Sequence, residues 1–235
     1  GLIVGVERWV SNAAMWDDRD YVMKAVAKQG RSLEHAAKEL QSDQEVVLRA
    51  LAEDVYALQF AAQELKRDRQ FMLRAVATNG YALMHATKDL QGDREVAGKA
   101  VARDGMALSY TAEELWGSKE IVLIAVKSCG AALRWATEKL RGDPEVVRSA
   151  MASCGDALQF ATEELRGNPE LMIGAVAKHV ALLRYATEEL KGDPQFMLRA
   201  VAKDADALSF AAKELRGDRQ FMLKAVESCS AALRY

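Results

Sequence analysis

Apolar and polar positions recur along this chain with one fixed period. From Asp18-Arg-Asp-Tyr-Val-Met-Lys-Ala-Val, equivalent start residues fall at Asp43, Asp68, Asp93, Ser118, Asp143, Asn168, Asp193 and Asp218, always 25 residues apart. Self-similarity at such a period marks stacked supersecondary units, none of which can bury its apolar face alone. Residues 1–17 read as a degenerate partial repeat, with Arg8-Trp9-Val10-Ser11 loosely echoing Arg134-Trp135-Ala136-Thr137. Residues 18–235 read as a single repeat domain whose last unit is incomplete.

Within each unit the pattern predicts two helices. The start residues are Asp, Asn or Ser, whose side chains accept from the free amides of a first helical turn. Pro144, Pro169 and Pro194 follow three of them, at the first helical position where proline is tolerated. Gly30, Gly80, Gly105, Gly130 and Gly155 stand twelve residues after the cap, which predicts left-handed helix ends there. Val55, Val180, Ala205 and Ser230 replace that glycine elsewhere and predict altered turns. A second helix of about ten residues is then expected, closing at Gly92, Gly117, Gly142, Gly167, Gly192 and Gly217. Helices so short need neighbours to persist in water.

The stacking surface is written in columns. Ala occupies 25, 50, 75, 100, 125, 150, 175, 200 and 225; Leu occupies 33, 58, 83, 108, 133, 158, 183, 208 and 233, and again 40, 65, 90, 115, 140, 165, 190 and 215. The apolar arc of each helix is too wide for a single partner, as expected where each unit meets one on either side. The predicted fold is therefore all-α: an α-solenoid of about nine helix-turn-helix repeats forming a superhelix.

Leu140-Arg-Gly-Asp-Pro-Glu-Val-Val147 and Gly155-Asp-Ala-Leu-Gln-Phe-Ala-Thr-Glu-Glu-Leu165 carry a resemblance to a tandem 25-residue helical-repeat family of undefined function. That family occurs in bacteria and protists, dinoflagellate-like algae included. The resemblance covers Asp17 to Tyr235 and implies no activity.

Composition narrows the function classes. Lys and Arg number 32 against 34 Asp and Glu, so the chain lacks the basic field that gathers nucleic acid, and no nucleic-acid partner is expected. No apolar run approaches the roughly 20 residues that cross a bilayer. Gly1 to Val10 is interrupted by Glu7 and Arg8 and reads as neither signal nor transit peptide. No phosphate loop, nucleophile elbow or metal-protease helix is present, so no enzyme and no cofactor are expected. The ring column His35, Phe60, His85, Tyr110, Trp135, Phe160, Tyr185, Phe210 and Tyr235 reads as packing between repeats rather than a base-stacking ladder. Cys129, Cys154, His179 and Cys229 share one position, but successive repeats are too far apart to share an ion at zinc-ligand distances.

The departures from the pattern are more informative. Tyr56, Tyr81 and Met106 follow Arg31 at the position that opens the second helix, and Met84 lies close by. Trp116 and Ile124 stand where sister repeats are mostly polar, and Trp9 and Trp16 crowd the first residues. Grouped aromatic and Met side chains suit a protein interface. The expectation is a non-enzymatic protein-binding scaffold, a structural or peripheral subunit of a larger assembly. Alternatives are an accessory subunit of a photosynthetic or respiratory membrane complex in an alga or protist, which would place it in a plastid or mitochondrion, and, less favoured, a single-stranded nucleic-acid binder.

Overall fold

A computed structural model describes residues 14–229. Trp9, Ser230, Leu233 and Tyr235 lie outside the described residues. The chain forms an all-α tandem helical repeat. It falls into two compact bodies, Gly1–Ser128 and Cys129–Tyr235, and each is described by itself.

Nine long helices, one per repeat, set the frame among the described residues: α1 (Arg19–Lys28), α2 (Gln44–Glu53), α3 (Arg69–Thr78), α4 (Arg94–Arg103) and α5 (Lys119–Ser128) in the first body, then α6 (Pro144–Ser153), α7 (Pro169–Val176), α8 (Pro194–Lys203) and α9 (Arg219–Ser228) in the second. The expected caps are in place. Asp43 accepts from the amides of Glu45 and Val46, Asp68 from Gln70 and Phe71, and Asn168 from Leu171, satisfying donors that a first turn leaves free.

The second half of each unit differs from the expectation. In place of one ten-residue helix, repeat 2 has the 3-10 helix Val55–Phe60, a break at Ala61 and Ala62, and the short α-helix Gln63–Arg67. The same three-part order recurs as Gly80–His85 with Lys88–Gln91, and as Gly155–Phe160 with Glu163–Arg166. Ala61 (φ −64°, ψ 148°) is extended. The freed amide of the next residue leaves its own unit: Ala62 N–H donates to the Gln41 carbonyl (3.0 Å) and Ala112 N–H to Gln91 (3.0 Å). In the second body Thr162 N–H donates to Arg141 (3.1 Å) and Ala212 N–H to Lys191 (3.0 Å). Within each body such main-chain hydrogen bonds tie successive repeats together, and the break supplies their donor. The apolar spacing Leu58, Ala61, Leu65 fits a continuous helix equally well, so the sequence pattern alone does not reveal the interruption.

The predicted columns form the core. Ala50, Ala75, Ala100, Ala150 and Ala200 have no exposed surface, nor do Leu58, Leu83, Leu108 and Leu158, and the short helices bury Leu40, Leu65 and Leu90 in the first body and Leu140, Leu165, Leu190 and Leu215 in the second.

The glycine expectation is corrected. No described residue, glycine or other, has a positive φ; the helix ends on an extended residue such as Asp54 (φ −149°, ψ 117°) instead. Space explains the glycine. A Cβ on Gly80 would stand 2.5 Å from the Ala100 carbonyl oxygen, and one on Gly130 would stand 2.4 Å from that of Ala150. Glycine therefore permits close stacking of successive units. Where Val55 replaces it, the turn is unchanged in conformation, but α2 packs less extensively on α3 than α3 does on α4. Gly155 is a further case: Leu182, where the equivalent residues Ala57, Ala82, Ala132, Ala157 and Ala207 are small, fills the space above it at 3.2 Å.

Candidate protein-interaction surface

The 3-10 helices display their second and fifth residues outward, because positions three apart eclipse one another at three residues per turn. In the first body these pairs are Arg31 and Glu34, Tyr56 and Gln59, Tyr81 and Met84, Met106 and Ser109. In the second body they are Ala131 and Arg134, Asp156 and Gln159, Ala181 and Arg184, Asp206 and Ser209. After the charged Arg31 and Glu34 of its first repeat, the first body carries aromatic and thioether groups at these positions, and the second body carries small, polar and charged ones.

Tyr56 is 47% exposed, one of few large apolar side chains so placed; Tyr81, Met84 and Met106 are half-buried. The two tyrosines are held differently. The Arg31 guanidinium lies over the Tyr56 ring at 5.3 Å while its Nε donates to Asp54 Oδ2 at 2.7 Å. Asp54 also accepts from the Tyr56 amide at 2.8 Å, so one carboxylate positions both partners of the cation–π contact. Burial opposes ionisation of Asp54, but these hydrogen bonds prevail and hold its pKa below the ordinary carboxylate value. Tyr81 meets Tyr110 edge-on, with centroids 5.9 Å apart. In the second body the equivalent surface closes on itself: Arg184 Nη2 donates to Asp156 Oδ1 at 2.6 Å.

The remaining candidates lie elsewhere. Trp116, half-buried, donates its indole N–H to the Leu108 carbonyl at 3.1 Å. This is the task of its sister residues: Gln41 donates to Leu33, Lys66 to Gln59 and Gln91 to Leu83. The side chain adds a donor to a carbonyl near the end of its own 3-10 helix; those of Leu33, Leu83 and Leu108 also accept from the amides of Ala36, Ala86 and Thr111. Sequence reasoning missed this column, although a signal was present: Gln, Lys, Trp and Arg share a side-chain N–H at one position. Ile124 is half-buried on α5, a different element from the tyrosine row. Trp16 packs against Tyr21 (5.3 Å) and His35 (5.1 Å). Trp9 lies outside the described residues.

Charged groups on the long helices pair from repeat to repeat. Arg69 reaches Asp93 (2.8 Å) and Glu95 (2.6 Å), Arg74 reaches Glu45 (2.7 Å), and Arg199 reaches Glu170 (2.9 Å). These exposed pairs fix register more than they add stability. Cys129, Cys154 and Cys229 are free thiols. No group of three or more His, Cys, Asp or Glu among the described residues is placed to hold a metal ion. No helix among them is long and apolar enough to cross a membrane.

One family model, described as Domain of unknown function (DUF4116), matches the chain in overlapping segments: residues 18–66, 45–91, 68–116, 93–141, 118–166, 143–191, 168–216 and 193–235. No curated protein and no solved structure matches it.

Proposed function

The chain belongs to the DUF4116 family, and we propose that it is a non-enzymatic protein-binding scaffold that docks a partner on the Tyr56–Tyr81–Met84–Met106 row, as a structural subunit of a larger assembly. The observation that carries this reading is the contrast between the bodies. Equivalent positions hold aromatic and Met side chains in one and an Asp156–Arg184 ion pair in the other. Packing within a repeat does not demand the aromatic version, since the second body keeps the same fold without it. Tyrosine rings give large contact area at modest entropic cost, Met adapts its shape to a partner, and both are enriched where proteins bind one another. The stack beneath them is tied by main-chain hydrogen bonds, which preorganises the surface.

A photo-crosslinking amino acid in place of Tyr56, and separately in place of Asp206 as a control, tests the assignment in the source cell. A discrete crosslinked protein at position 56 and none at 206 is the expected result. Equal labelling at both positions, or none at 56, would remove the row as the docking surface.

A further inference from the structure

Tyr56 and Tyr81 belong to consecutive repeats, so the row crosses the joint between repeats 2 and 3. That joint is built unlike its neighbours. Its stacking position holds Val55 rather than glycine. The 3-10 helices Val55–Phe60 and Gly80–His85 touch less than Gly30–His35 touches Val55–Phe60, or Gly80–His85 touches Gly105–Tyr110. Beneath them lies His85, whose Nε2 is buried without a hydrogen-bond partner. Beside it is Lys66, only 8% exposed, whose ammonium donates to the Gln59 carbonyl at 2.8 Å. The rung of this joint runs from the Thr87 amide to the carbonyl of that same Lys66, at 3.3 Å.

We infer that this joint is an acid-sensitive gate on the docking row: proton uptake by His85 loosens repeat 2 from repeat 3 and so disturbs the spacing of Tyr56 and Tyr81. The chemistry follows from the surroundings. A proton on Nε2 creates a donor where nothing accepts it, which costs the desolvation of that group. It also places a second positive charge near the buried Lys66 ammonium. Two charged groups act on the ring, Lys66 from the short helix Gln63–Arg67 and Asp54 from the residue before the second 3-10 helix. α3, α4, Lys88–Gln91 and Gly105–Tyr110 also pack against Gly80–His85, but the charges that shift the ring are those of Lys66 and Asp54. Asp54 and the Val55 carbonyl favour the charged ring, but burial first and Lys66 second outweigh them and hold the pKa of His85 below its ordinary 6.5. The unfolded chain therefore takes up this proton before the folded joint does. Stability is complete above the ordinary value and declines as the pH falls from there through the depressed folded value.

The inference rests on the docking reading only for its consequence, and its test needs no partner. Amide hydrogen exchange, corrected for the intrinsic pH dependence, is followed over residues 55–60 and 80–85 at about pH 7.5 and about pH 5.5. The wild type is compared with His85→Phe and Lys66→Gln, changes that the chain itself carries at Phe60, Phe160 and Phe210 and at Gln41 and Gln91. Protection in the wild type should fall several-fold on acidification, with segment 30–35 little affected. The fall should vanish in His85→Phe and shrink in Lys66→Gln. An unchanged fall in either variant, or none in the wild type, overturns the gate. A confirmed gate whose tyrosines fail to crosslink a partner would instead remove the docking reading and leave the joint standing.

Discussion

Gly30 and Ala50 meet backbone to backbone across a repeat boundary: a Cβ on Gly30 would stand 2.4 Å from the Ala50 carbonyl oxygen and 3.0 Å from the Asp54 nitrogen. This glycine is required by space rather than by backbone conformation. Gly30→Ala and Gly80→Ala should each destabilise by about 1–3 kcal/mol, the usual cost of overpacking. Gly174, inside α7 with nothing within 4 Å of its Cβ position, should behave oppositely. Gly174→Ala should stabilise by roughly 0.5–1 kcal/mol through helix propensity. Urea denaturation of the three variants decides it, and a shared sign would contradict the spatial account.

Gly155 and Leu182 make a matched pair, small below and large above, with 3.2 Å between the glycine's Cβ position and Leu182 Cδ1. Leu182→Ala alone should cost about 2–5 kcal/mol as a cavity forms, and Gly155→Ala should crowd Leu182. The double variant should cost less than the sum, by about 0.5–3 kcal/mol. Additive losses in a double-mutant cycle would show that the two positions do not compensate one another.

Trp116 should tolerate glutamine better than phenylalanine, despite the closer shape of the latter. Gln restores this N–H for the Leu108 carbonyl, as Gln91 supplies one for Leu83, whereas Phe loses the bond and leaves the carbonyl to the amide and hydroxyl of Thr111. A difference of about 1 kcal/mol in unfolding free energy is expected. Equal stability of the two variants would show that the indole serves by its bulk alone.

Acid weakens the ties between the long helices. The hydrogen bond from Arg19 holds the Asp43 carboxyl below its ordinary 3.8, and that from Arg69 does the same for Asp93. Depressed carboxylates contribute stability above their unfolded value, and it is lost as the pH falls through the folded ones. Acid unfolding near and below about pH 4 should therefore be less steep in Arg19→Gln and Arg69→Gln than in the wild type. A chemical-denaturation series across that range measures the slope, and parallel curves would exclude these pairs as its source.

The repeat period, the Asp and Asn caps, and the Ala and Leu columns were legible in the sequence because each is a local or periodic signal. The break at Ala61 and Ala62 was not. The spacing of Leu58, Ala61 and Leu65 suits one helix, and the hydrogen bond that rewards the interruption goes to Gln41 in the preceding repeat. The role of Gly30 and Gly80 was legible only as a special residue, since its cause lies across the boundary at Ala50 and Ala100. At the surface, Tyr56, Tyr81, Met84 and Met106 stood out by contrast with their sister positions. Trp116 stood out for the same reason, yet its indole is used within its own repeat. Composition distinguishes a side chain that breaks a pattern; only the contacts show whether the break faces inward.

The docking row is tested most directly by native co-fractionation of the wild type against a Tyr56→Asp, Tyr81→Ala double variant, whose new side chains match Asp156 and Ala181 at the same positions. With both proteins equally folded by circular dichroism, the wild type should migrate with a larger assembly and the variant at the size of the isolated chain. Comigration of the variant with the same assembly would contradict the account.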